Sequence, residues 1–503
     1  MGNTFQVNAS LTYRLEPHAL KNEFITKPCE SQPIPRYEQI KDRLPWPIWD
    51  KHEEALRCYE KTWSLAFDHV RKAEPKSGFV SHFIDTAFNG YLFMWDSSFI
   101  VMYGKYASRI FDFQKTLDNF YARQHKDGFI CRELCESEAG DQFQRDDPSS
   151  TGPNILPWAE WEYYILTGDQ ERLAKVFDPL MAYHHWLSLN RTWPNGAYWS
   201  TGWACGMDNQ PRLPKGEDVS FSHGHMIWHD ACIQMLMSDE ILIKMGKVLS
   251  REDETLELQK ESIRLRALIN ESLWDDKDAF YHDMNKDGTL NSTKSIGAYW
   301  ALLADCVPSQ RLERFISHLS DPKLFNRPYR IPSLSADDPA YQKDGAYWQG
   351  GIWAPTNYMV LKGLEHVGQH ELAYEIACNT LDQVITVYQK TGTLWENYAP
   401  ESANPGNPAK PDFVGWTGLI PIAVLFEFVL GIKPNAQDDT LIWHVRRLER
   451  HGVIRYPLKS GIADLICEAR SSLDEEPHIT IKADFPLTLT LIYNGKKTVI
   501  RNH

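Results

Sequence analysis

The sequence predicts a mainly helical protein, an (α/α)6 barrel with a small C-terminal β domain. Three observations predict this class. About a dozen segments with helical periodicity fill residues 46–432 in sequence pairs. Segments rich in aromatic and polar residues stand where these helices begin or end. Beyond residue 432 the periodicity changes from that of helices to that of strands.

The first 45 residues are rich in proline and irregular, and we expect them to form an N-terminal arm along the helical part. In the helical part, apolar residues recur at helical spacing between clusters of Gly, Pro, Asn or Asp; an example is Ile233, Leu236 and Met237. The segments predicted to be helical are 50–74, 97–122, 157–167, 170–190, 224–248, 251–274, 295–304, 308–319, 352–367, 370–390 and 416–431.

Residues 433–503 are predicted to form a small β-sandwich-like domain. In LTLTLIY, Leu487 to Tyr493, apolar side chains alternate with threonine, which is the period of a half-buried strand. Asn494 and Gly495 follow as a two-residue hairpin turn that leads into KKTVI. IWHV, IADLICEA and HITIKA indicate further strands.

Charge and hydropathy exclude some partners. The 503 residues carry a net charge of −14 and no long Lys/Arg run, which argues against nucleic acid and anionic membranes as partners. The longest apolar run, 419–431, contains Pro421 and Glu427 and is too short to span a bilayer. Since the N-terminal residues show no signal-peptide pattern, we expect a cytoplasmic protein, or a periplasmic or secreted one if a signal was removed. The sequence makes no prediction of oligomeric state.

No metal or organic cofactor is predicted. The nine cysteines are scattered, and Cys131 and Cys135 have no nearby partners to complete a zinc site. His225 and His229 lack the glutamate of an H-E-x-x-H motif, so structural histidines are expected. DMNKDG, which begins at Asp283, resembles a calcium loop but has a lysine at position twelve, and we interpret it as a turn.

The aromatic content favours a carbohydrate ligand. Eighteen tryptophans and 22 tyrosines exceed what a core needs, although a large aromatic core is the simpler explanation. Sugar-binding sites combine flat aromatic rings with carboxylates and amides, because a sugar has an apolar face and a rim of hydroxyls. Such mixtures occur in five segments, which a barrel would bring to one face: FMWDSSF, GWACGMDNQPR, YWQGGIWAPTNY, LWENYAPE and FVGWTGL.

Two carboxylates in these segments are candidates for acid–base catalysis. Asp208 has the apolar neighbours Cys205 and Met207, and desolvation would favour the protonated form that a general acid needs. Glu396 has polar neighbours that would help keep it ionised, as a general base needs. Glycoside hydrolysis uses such a pair. Alternatively, Asp208 is a helix N-cap and Glu396 forms a salt bridge.

Other residues of these segments are candidates for sugar binding. Asp96 either grips two adjacent hydroxyls or caps a helix that begins near residue 97. Trp348 and Trp353 flank two glycines that would allow close approach of a sugar ring, or they belong to the core. The complete set of predicted substrate-binding residues is Trp95, Asp96, Trp203, Asn209, Arg212, Trp348, Gln349, Trp353, Tyr398 and Trp416.

Taken together, WDSSF, GMDNQPR, WQGGIWAPTNY, WENYAPE and FVGWTGLIPIAVL resemble the motifs of glycoside hydrolase family 63, and more distantly the trehalases, over roughly residues 80–432. GMDNQPR is most similar to the hydrolases of mannosylglycerate and glucosylglycerate. The resemblance implies an inverting α-glycosidase on an (α/α)6 barrel, with Asp208 as acid, Glu396 as base and Trp416 near the pocket. The resemblance does not decide where Arg132 and Arg145, in the loop 132–152, are placed. They either contact a charged substrate or lie on a solvated surface.

The predicted function is hydrolysis of a terminal α-linked sugar, a glucoside or a mannoside, in an oligosaccharide or small glycoside. Two alternatives remain open. One is a catalytically inactive carbohydrate-binding protein. The other is a different (α/α)6 carbohydrate enzyme, namely an epimerase, a phosphorylase or a lyase.

Overall fold

The computed structural model describes residues 14–85, 89–435 and 440–502. Its α-helices are α1 (Tyr37–Ile40), α2 (Glu53–Asp68), α3 (Met94–Gly104), α4 (Asp118–Ala122), α5 (Leu156–Thr167), α6 (Gln170–Asn190), α7 (His229–Val248), α8 (Leu256–Ser272), α9 (Trp300–Leu303), α10 (Ser309–Ser317), α11 (Ala354–His366) and α12 (His370–Thr391). A 3-10 turn, Trp416–Leu419, leads into a π-helix, Ile420–Val429. No helix in the described ranges has the length and hydropathy to cross a membrane.

Six helical segments contact one another in a ring. The helix α3 packs against α5, α5 against α7, α7 against α9, and α9 against α11. The helix α11 contacts the 3-10 turn Trp416–Leu419, which in turn contacts α3. A second layer includes α6, which packs on α5 and α7, α8 on α7, and α12 on α11. The helix-rich architecture predicted from periodicity is therefore present.

The composition of the helices matches their place in these layers. Every residue of α3 and of the π-helix Ile420–Val429 is buried, and most of these side chains are apolar, which is typical of helices enclosed on all sides. In α8 only Leu258, Ser262, Leu265 and Ile269 are buried, so one stripe faces the protein and the rest faces water. The inner segments are thus enclosed by the outer ones, and α8 lies at the surface.

Several predicted helices differ from those observed. The predicted segment 50–74 is helical over α2 only and is followed by a short strand, and the predicted segment 224–248 becomes helical only at His229. The segment 97–122 is not one helix, because α3 ends at Gly104, where a Cβ would lie 2.5 Å from Phe113 of the chain folding back onto it. The segment 416–431 starts as a 3-10 turn and continues as a π-helix that has Pro421 in its first turn. The DMNKDG segment is a turn at residues 286–287, as predicted.

The C-terminal region contains two four-stranded sheets. One has the order β1 (Trp46–Trp49), β10 (His451–Pro457), β11 (Ile462–Cys467) and β12 (Ile479–Ala483), all antiparallel. The other has the order β14 (Lys496–Asn502), β13 (Leu487–Tyr493), β9 (Thr440–His444) and β8 (Ile432–Asn435), with β13 parallel to β9. Short two-stranded pairs join β2 (Val70–Arg71) with β3 (Phe83–Ile84), β4 (Tyr91–Phe93) with β5 (Glu133–Cys135), and β6 (Trp274–Asp275) with β7 (Phe280–Tyr281).

The predicted hairpin between β13 and β14 is confirmed. Asn494 and Gly495 have φ values of 41° and 73°, as a turn of this type requires. The strand β1 was not predicted, because Trp46–Trp49 precedes the helices and joins the C-terminal sheet only in three dimensions. The break predicted near residue 433 lies partly in residues 436–439, outside the described residues.

The predicted N-terminal arm lies partly in residues 1–13, outside the described residues. From residue 14 onward, short turns and α1 run along the helices. Asn22 donates a hydrogen bond to the backbone oxygen of Tyr121 at 2.8 Å, and His18 Nδ1 lies 2.7 Å from Asp178 Oδ1. These contacts attach the arm to the helical layers.

Candidate active site

A cavity of about 230 Å³ brings the predicted carboxylates together with aromatic rings. Both Asp208 and Glu396 line it, although they are nearly two hundred positions apart in the sequence. The predicted residues Trp95, Asp96, Trp203, Trp348 and Trp416 line it too. The remaining lining residues are Asn89, Phe93, Arg132, Gly152, Pro153, Gly206, Tyr347, Lys410 and Phe413.

Asp96 lies in the first turn of α3 and faces the cavity. It is not the N-cap that the sequence offered as an alternative, because α3 begins at Met94, three residues earlier than expected. The pairing of β4 with β5 brings Phe93 opposite Glu133 and so places Arg132 beside the start of α3. Arg132 therefore reaches the cavity instead of the solvated surface.

The Asp208 loop, residues 202–212, crosses this end of the helical ring without regular structure. Gly206 has a φ of +77°, and a Cβ there would lie 3.2 Å from the ring of Trp95. Gln210 donates to the backbone oxygen of Ser333 at 2.7 Å and accepts from Ser295 Oγ at 2.8 Å. The loop is not followed by a helix until α7 begins at residue 229, so Asp208 does not cap a helix.

Arg212 anchors the end of this loop below the cavity. Its guanidinium is 1% exposed and donates to both oxygens of Asp230, at 2.6 and 2.8 Å, and to both oxygens of Asp283, at 2.7 and 2.8 Å. It also lies 4.4 Å from the centre of the Trp228 ring. Arg212 was predicted to bind substrate, but it does not line the cavity and its donors are used by two buried aspartates.

The environment of Asp208 favours its protonated form. Burial by the cavity walls raises the pKa of Asp208 to about 6; Arg132 opposes this increase, and the negative charges of Glu133 and Glu396 add to it. The half-buried Asp208 carboxyl therefore retains its proton at a higher pH than an ordinary aspartate does. This agrees with the desolvation predicted from Cys205 and Met207, both of which are buried.

Glu396 is held by contacts on several sides. Tyr347 Oη donates to Glu396 Oε1 at 3.2 Å, and the backbone N–H of Lys410 donates to Oε2 at 3.1 Å. Trp416 Nε1 donates to the backbone oxygen of Glu396 at 2.8 Å. Because backbone and side chain are both fixed, the carboxylate has a defined direction in the cavity.

Burial raises the pKa of Glu396, while the Lys410 charge, the Lys410 N–H and the Tyr347 hydroxyl each act to lower it. The polar groups at the carboxylate are therefore Lys410 and Tyr347 and not the sequence neighbours Asn397 and Tyr398. Those two side chains bond instead to the Pro408 oxygen and the Trp395 N–H. The effect of burial on the pKa of Glu396 outweighs that of Lys410 and Tyr347. The two carboxyl groups therefore have different surroundings. Hydrogen-bond donors stabilise the charged form of Glu396, whereas neighbouring carboxylates destabilise the charged form of Asp208.

The turn that carries Tyr347 has an unusual backbone. Gly345, Ala346 and Tyr347 have φ values of 94°, 34° and 70°, a conformation that costs energy for non-glycine residues. Asn209 holds it, since its side chain donates to the Ala346 oxygen at 2.9 Å and accepts from the Trp348 N–H at 2.8 Å. The Asp208 loop thus fixes the turn from which Tyr347 reaches Glu396.

Four other predicted binding residues support the cavity wall without lining it. Asn209 holds the turn just described, and Gln349 donates to the Asn209 oxygen at 3.2 Å. Trp353 stacks on Trp348 with ring centres 3.9 Å apart and an angle of 2°. The hydroxyl of Tyr398 accepts from the Trp395 N–H at 3.2 Å.

Sequence reasoning missed several lining residues. Tyr347 stands at the start of a quoted aromatic segment, so its position was a usable signal. Phe413 likewise stands at the start of FVGWTGL. Lys410 had no such signal, because it reaches the cavity only through pairing of the chain around residue 410 with that around Glu396. Four groups of potential metal-binding side chains occur among the described residues, and none includes a residue that lines the cavity.

Comparison with known proteins identifies the family. Residues 90–417 match the model of the mannosylglycerate hydrolase MGH1-like glycoside hydrolase domain. The chain belongs to this glycoside hydrolase family. The match contains Asp96, Asp208, Glu396 and Trp416, and it confirms the resemblance to glycoside hydrolase family 63 given by the motifs.

Individual relatives are distant. An uncharacterized protein of Borreliella burgdorferi is 26% identical over 385 residues, covering 74% of this chain and 78% of that protein. The mannosyl-oligosaccharide glucosidase of Saccharomyces cerevisiae is 23% identical over 236 residues, covering 43% of this chain but 27% of the yeast enzyme. This chain thus matches about a quarter of the length of that relative.

Solved structures share the fold. The GH63 mannosylglycerate hydrolase of Thermus thermophilus superposes with a TM-score of 0.58 at 18% identity, covering 72% of this chain and 99% of that enzyme. A GH78 rhamnosidase of Bacillus sp. GL1 superposes with a TM-score of 0.63 at 14% identity, covering 89% of this chain and 43% of that chain. The superposition on the rhamnosidase covers 89% of this chain, whereas the family model matches residues 90–417 only.

Proposed function

We propose that this protein is an inverting, exo-acting α-glycosidase that removes a terminal α-linked glucose or mannose. Asp208 donates its proton to the glycosidic oxygen as the bond to the anomeric carbon breaks. Glu396 accepts a proton from a water molecule that attacks this carbon from the opposite face. The mechanism requires the two carboxyl groups to be about 6.5–9.5 Å apart, with the water between them. It needs no metal or organic cofactor.

The observation that supports this proposal most is that Asp208 and Glu396 line one cavity with different hydrogen-bond environments. A pair of carboxyl groups in different environments is what acid–base catalysis of glycoside hydrolysis uses. The small cavity, at about 230 Å³, favours a single terminal sugar over an internal segment of a polysaccharide.

Other lining residues would bind the sugar. Asp96 offers carboxylate oxygens to hydroxyls, and Trp348 and Trp416 offer aromatic rings to its apolar face. Trp95 Nε1 is buried and has no hydrogen-bond partner among the described residues, so it is a free donor at the cavity wall. For the scaffold, we propose that the ring of six helical segments forms an (α/α)6 barrel over residues 46–432, flanked by the arm and the β domain.

The relatives' names guide the choice of substrates. They include hydrolases of mannosylglycerate and glucosidases of mannosyl-oligosaccharides, so both charged and neutral aglycones need testing. Arg132 would stand near a charged aglycone, but it already pairs with Glu133 at 2.6 Å and donates to the Ser149 oxygen at 2.6 Å. We therefore propose no class of aglycone, and the substrate screen includes both charged and neutral ones.

The test is NMR of the first sugar released from α-glucosides and α-mannosides with glycerate or sugar aglycones, with α-galactosides and α-rhamnosides as comparisons. We expect the β-anomer to form first, because inversion converts the α-linkage into the β-configuration. Release of the α-anomer would refute inversion. Binding without turnover would indicate an inactive carbohydrate-binding protein, phosphate-dependent turnover a phosphorylase, an unsaturated product a lyase, and an isomerised free sugar an epimerase.

A further inference from the structure

Three side chains on three neighbouring helices meet away from the sugar cavity. His184 lies on α6, Asp239 on α7 and Glu261 on α8. His184 Nε2 is 3.0 Å from Asp239 Oδ1 and 3.3 Å from Glu261 Oε2. The side chains of His184 and Asp239 are 0% exposed, and that of Glu261 is 14% exposed. None of the three lines the cavity around Asp208.

One oxygen of the Asp239 carboxylate lacks a hydrogen-bond partner among the described residues, which suits a site for an additional ligand. Both of its carboxylate oxygens are buried. Oδ1 pairs with His184 Nε2 at 3.0 Å, whereas Oδ2 accepts no hydrogen bond from any described residue. A buried carboxylate oxygen without a donor is costly, so a cation bound between the two carboxylates would stabilise it.

The surrounding residues orient the three side chains toward a common point. His184 Nδ1 is 2.9 Å from Ser238 Oγ, so a metal ion that displaces the proton of Nε2 would find the other proton held on Nδ1 and the lone pair of Nε2 facing the carboxylates. Tyr198 Oη and Arg264 donate to Glu261 Oε1, at 2.5 and 3.2 Å, which leaves Oε2 directed to His184. Such outer contacts typically fix the ligands of a metal ion.

We propose that His184, Asp239 and Glu261 bind one divalent transition-metal ion of the Zn²⁺ type. The separations of 3.0 and 3.3 Å are close to the edge, about 3.3 Å, of a tetrahedron with metal–ligand bonds of 2.0–2.1 Å. Imidazole nitrogen and carboxylate oxygen are ligands that Zn²⁺ accepts, and water would fill the fourth position. A neutral imidazole, two carboxylates and a divalent ion also have no net charge, which suits a buried site.

Of the three proposed ligands, Glu261 is the one that borders a surface cavity. This cavity has a volume of about 470 Å³ and is also lined by Arg14, His185 and Arg264. Because the ligands come from α6, α7 and α8, the ion would connect three helices that are otherwise joined by packing. Its expected role is therefore to stabilise the fold and not to take part in hydrolysis.

The experiment uses the full chain without an affinity tag, stripped with chelator, dialysed against Zn²⁺ and freed of excess metal. We expect about one zinc per chain by mass spectrometry and a melting temperature several degrees above that of the stripped protein. Asp239→Asn and Glu261→Gln should each lose the zinc and the increase in melting temperature. Hydrolysis by wild-type protein at 25 °C should be the same with and without zinc.

Glu254→Gln is the matched control, because Glu254 belongs to another group of potential ligands, with His18 and Asp178, that is more exposed. This variant should keep the zinc. A wild-type chain that retains no zinc and melts at the same temperature with and without it would overturn the proposal, even if a variant fails to fold. Retention of zinc by both Asp239→Asn and Glu261→Gln would also overturn it.

Discussion

The two sides of the cavity hold their carboxyl groups in different ways. The Asp208 loop has no regular structure and is fixed from below by Arg212, which is buried between Asp230 and Asp283. Glu396 is fixed at the carboxylate itself, by Tyr347 and the Lys410 N–H. One side contributes a desolvated carboxyl group that retains its proton, and the other a carboxylate with hydrogen-bond donors. Two carboxyl groups of the same cavity thus differ in the balance between their protonated and ionised forms, because different neighbours hold them in place.

The largest effect is expected when either carboxyl group is removed. Asp208→Asn and Glu396→Gln should each lower kcat on an α-glycoside by about 10²–10⁴-fold, as expected for loss of a general acid or base. On the matching α-glycosyl fluoride, whose leaving group needs little protonation, Asp208→Asn should regain activity and Glu396→Gln should not. Steady-state kinetics on both substrates measure this difference.

The controls for this experiment are Asp276→Asn and Glu257→Gln, since both side chains are mostly exposed, at 79% and 78%. Circular dichroism should show that all four variants are folded. If the fluoride restores Glu396→Gln and not Asp208→Asn, the two roles are reversed. Near wild-type hydrolysis by either variant would rule out its assignment.

The next effect concerns the anchor of the Asp208 side. Arg212→Met leaves Asp230 and Asp283 buried without their counter-charge and should lower the free energy of unfolding by about 3–5 kcal/mol. Urea denaturation measures it. Arg314→Met is the control, because Arg314 is 53% exposed and pairs with Asp276 at 3.7 Å, and it should change stability by about 0.5 kcal/mol or less. A loss below about 1 kcal/mol for Arg212→Met would contradict the anchoring role.

A smaller effect is expected from the anchor of the Glu396 side. Tyr347→Phe removes the donor to Glu396 Oε1 and should lower kcat by about 10-fold, the equivalent of about 1.4 kcal/mol for a hydrogen bond to a charged group. Because this donor lowers the pKa of Glu396, the acidic limb of the pH–rate profile should also move to higher pH. Tyr374→Phe, which alters a contact with Arg447, should change neither property. An unchanged acidic limb in Tyr347→Phe would show that the hydroxyl does not act through Glu396.

The smallest expected effect is on stability. Asp208 has a raised pKa, so the wild type keeps the full contribution of the neutral carboxyl group below about pH 4 and loses stability as pH rises through about 6. Because an asparagine side chain does not ionise, Asp208→Asn should be more stable than wild type at pH 8, by about 1 kcal/mol, and similar to it at pH 4. Thermal melting at the two pH values tests this. An equal difference in stability at both pH values would contradict the assignment of this pKa.

The raised pKa of Asp208 also predicts how the rate depends on pH. In wild type, kcat/KM should fall above about pH 6 as the acid loses its proton.

The sequence alone determined most of the helices, since burial of an apolar face requires the 3.6-residue period wherever a helix packs on another. It also determined that tryptophans, amides and two acids occur together in a few segments, and the motifs in their order determined the family. Asp208 and Glu396 were found in this way, because an acid among apolar or aromatic neighbours is unusual in a loop. The expectation that every such segment stands at a helix end was wrong for Asp208, which lies between a helix that ends at Asn190 and one that begins at His229.

Only the tertiary structure decided which side of a motif faces the cavity. Arg212 and Trp353 lie in the predicted segments but support the wall, whereas Arg132 and Lys410 reach the cavity. Likewise, β1 finds its partner β10 some four hundred positions later. The physical reason is that local periodicity records how much a residue is buried, whereas the identity of its neighbours depends on contacts between segments distant in the chain.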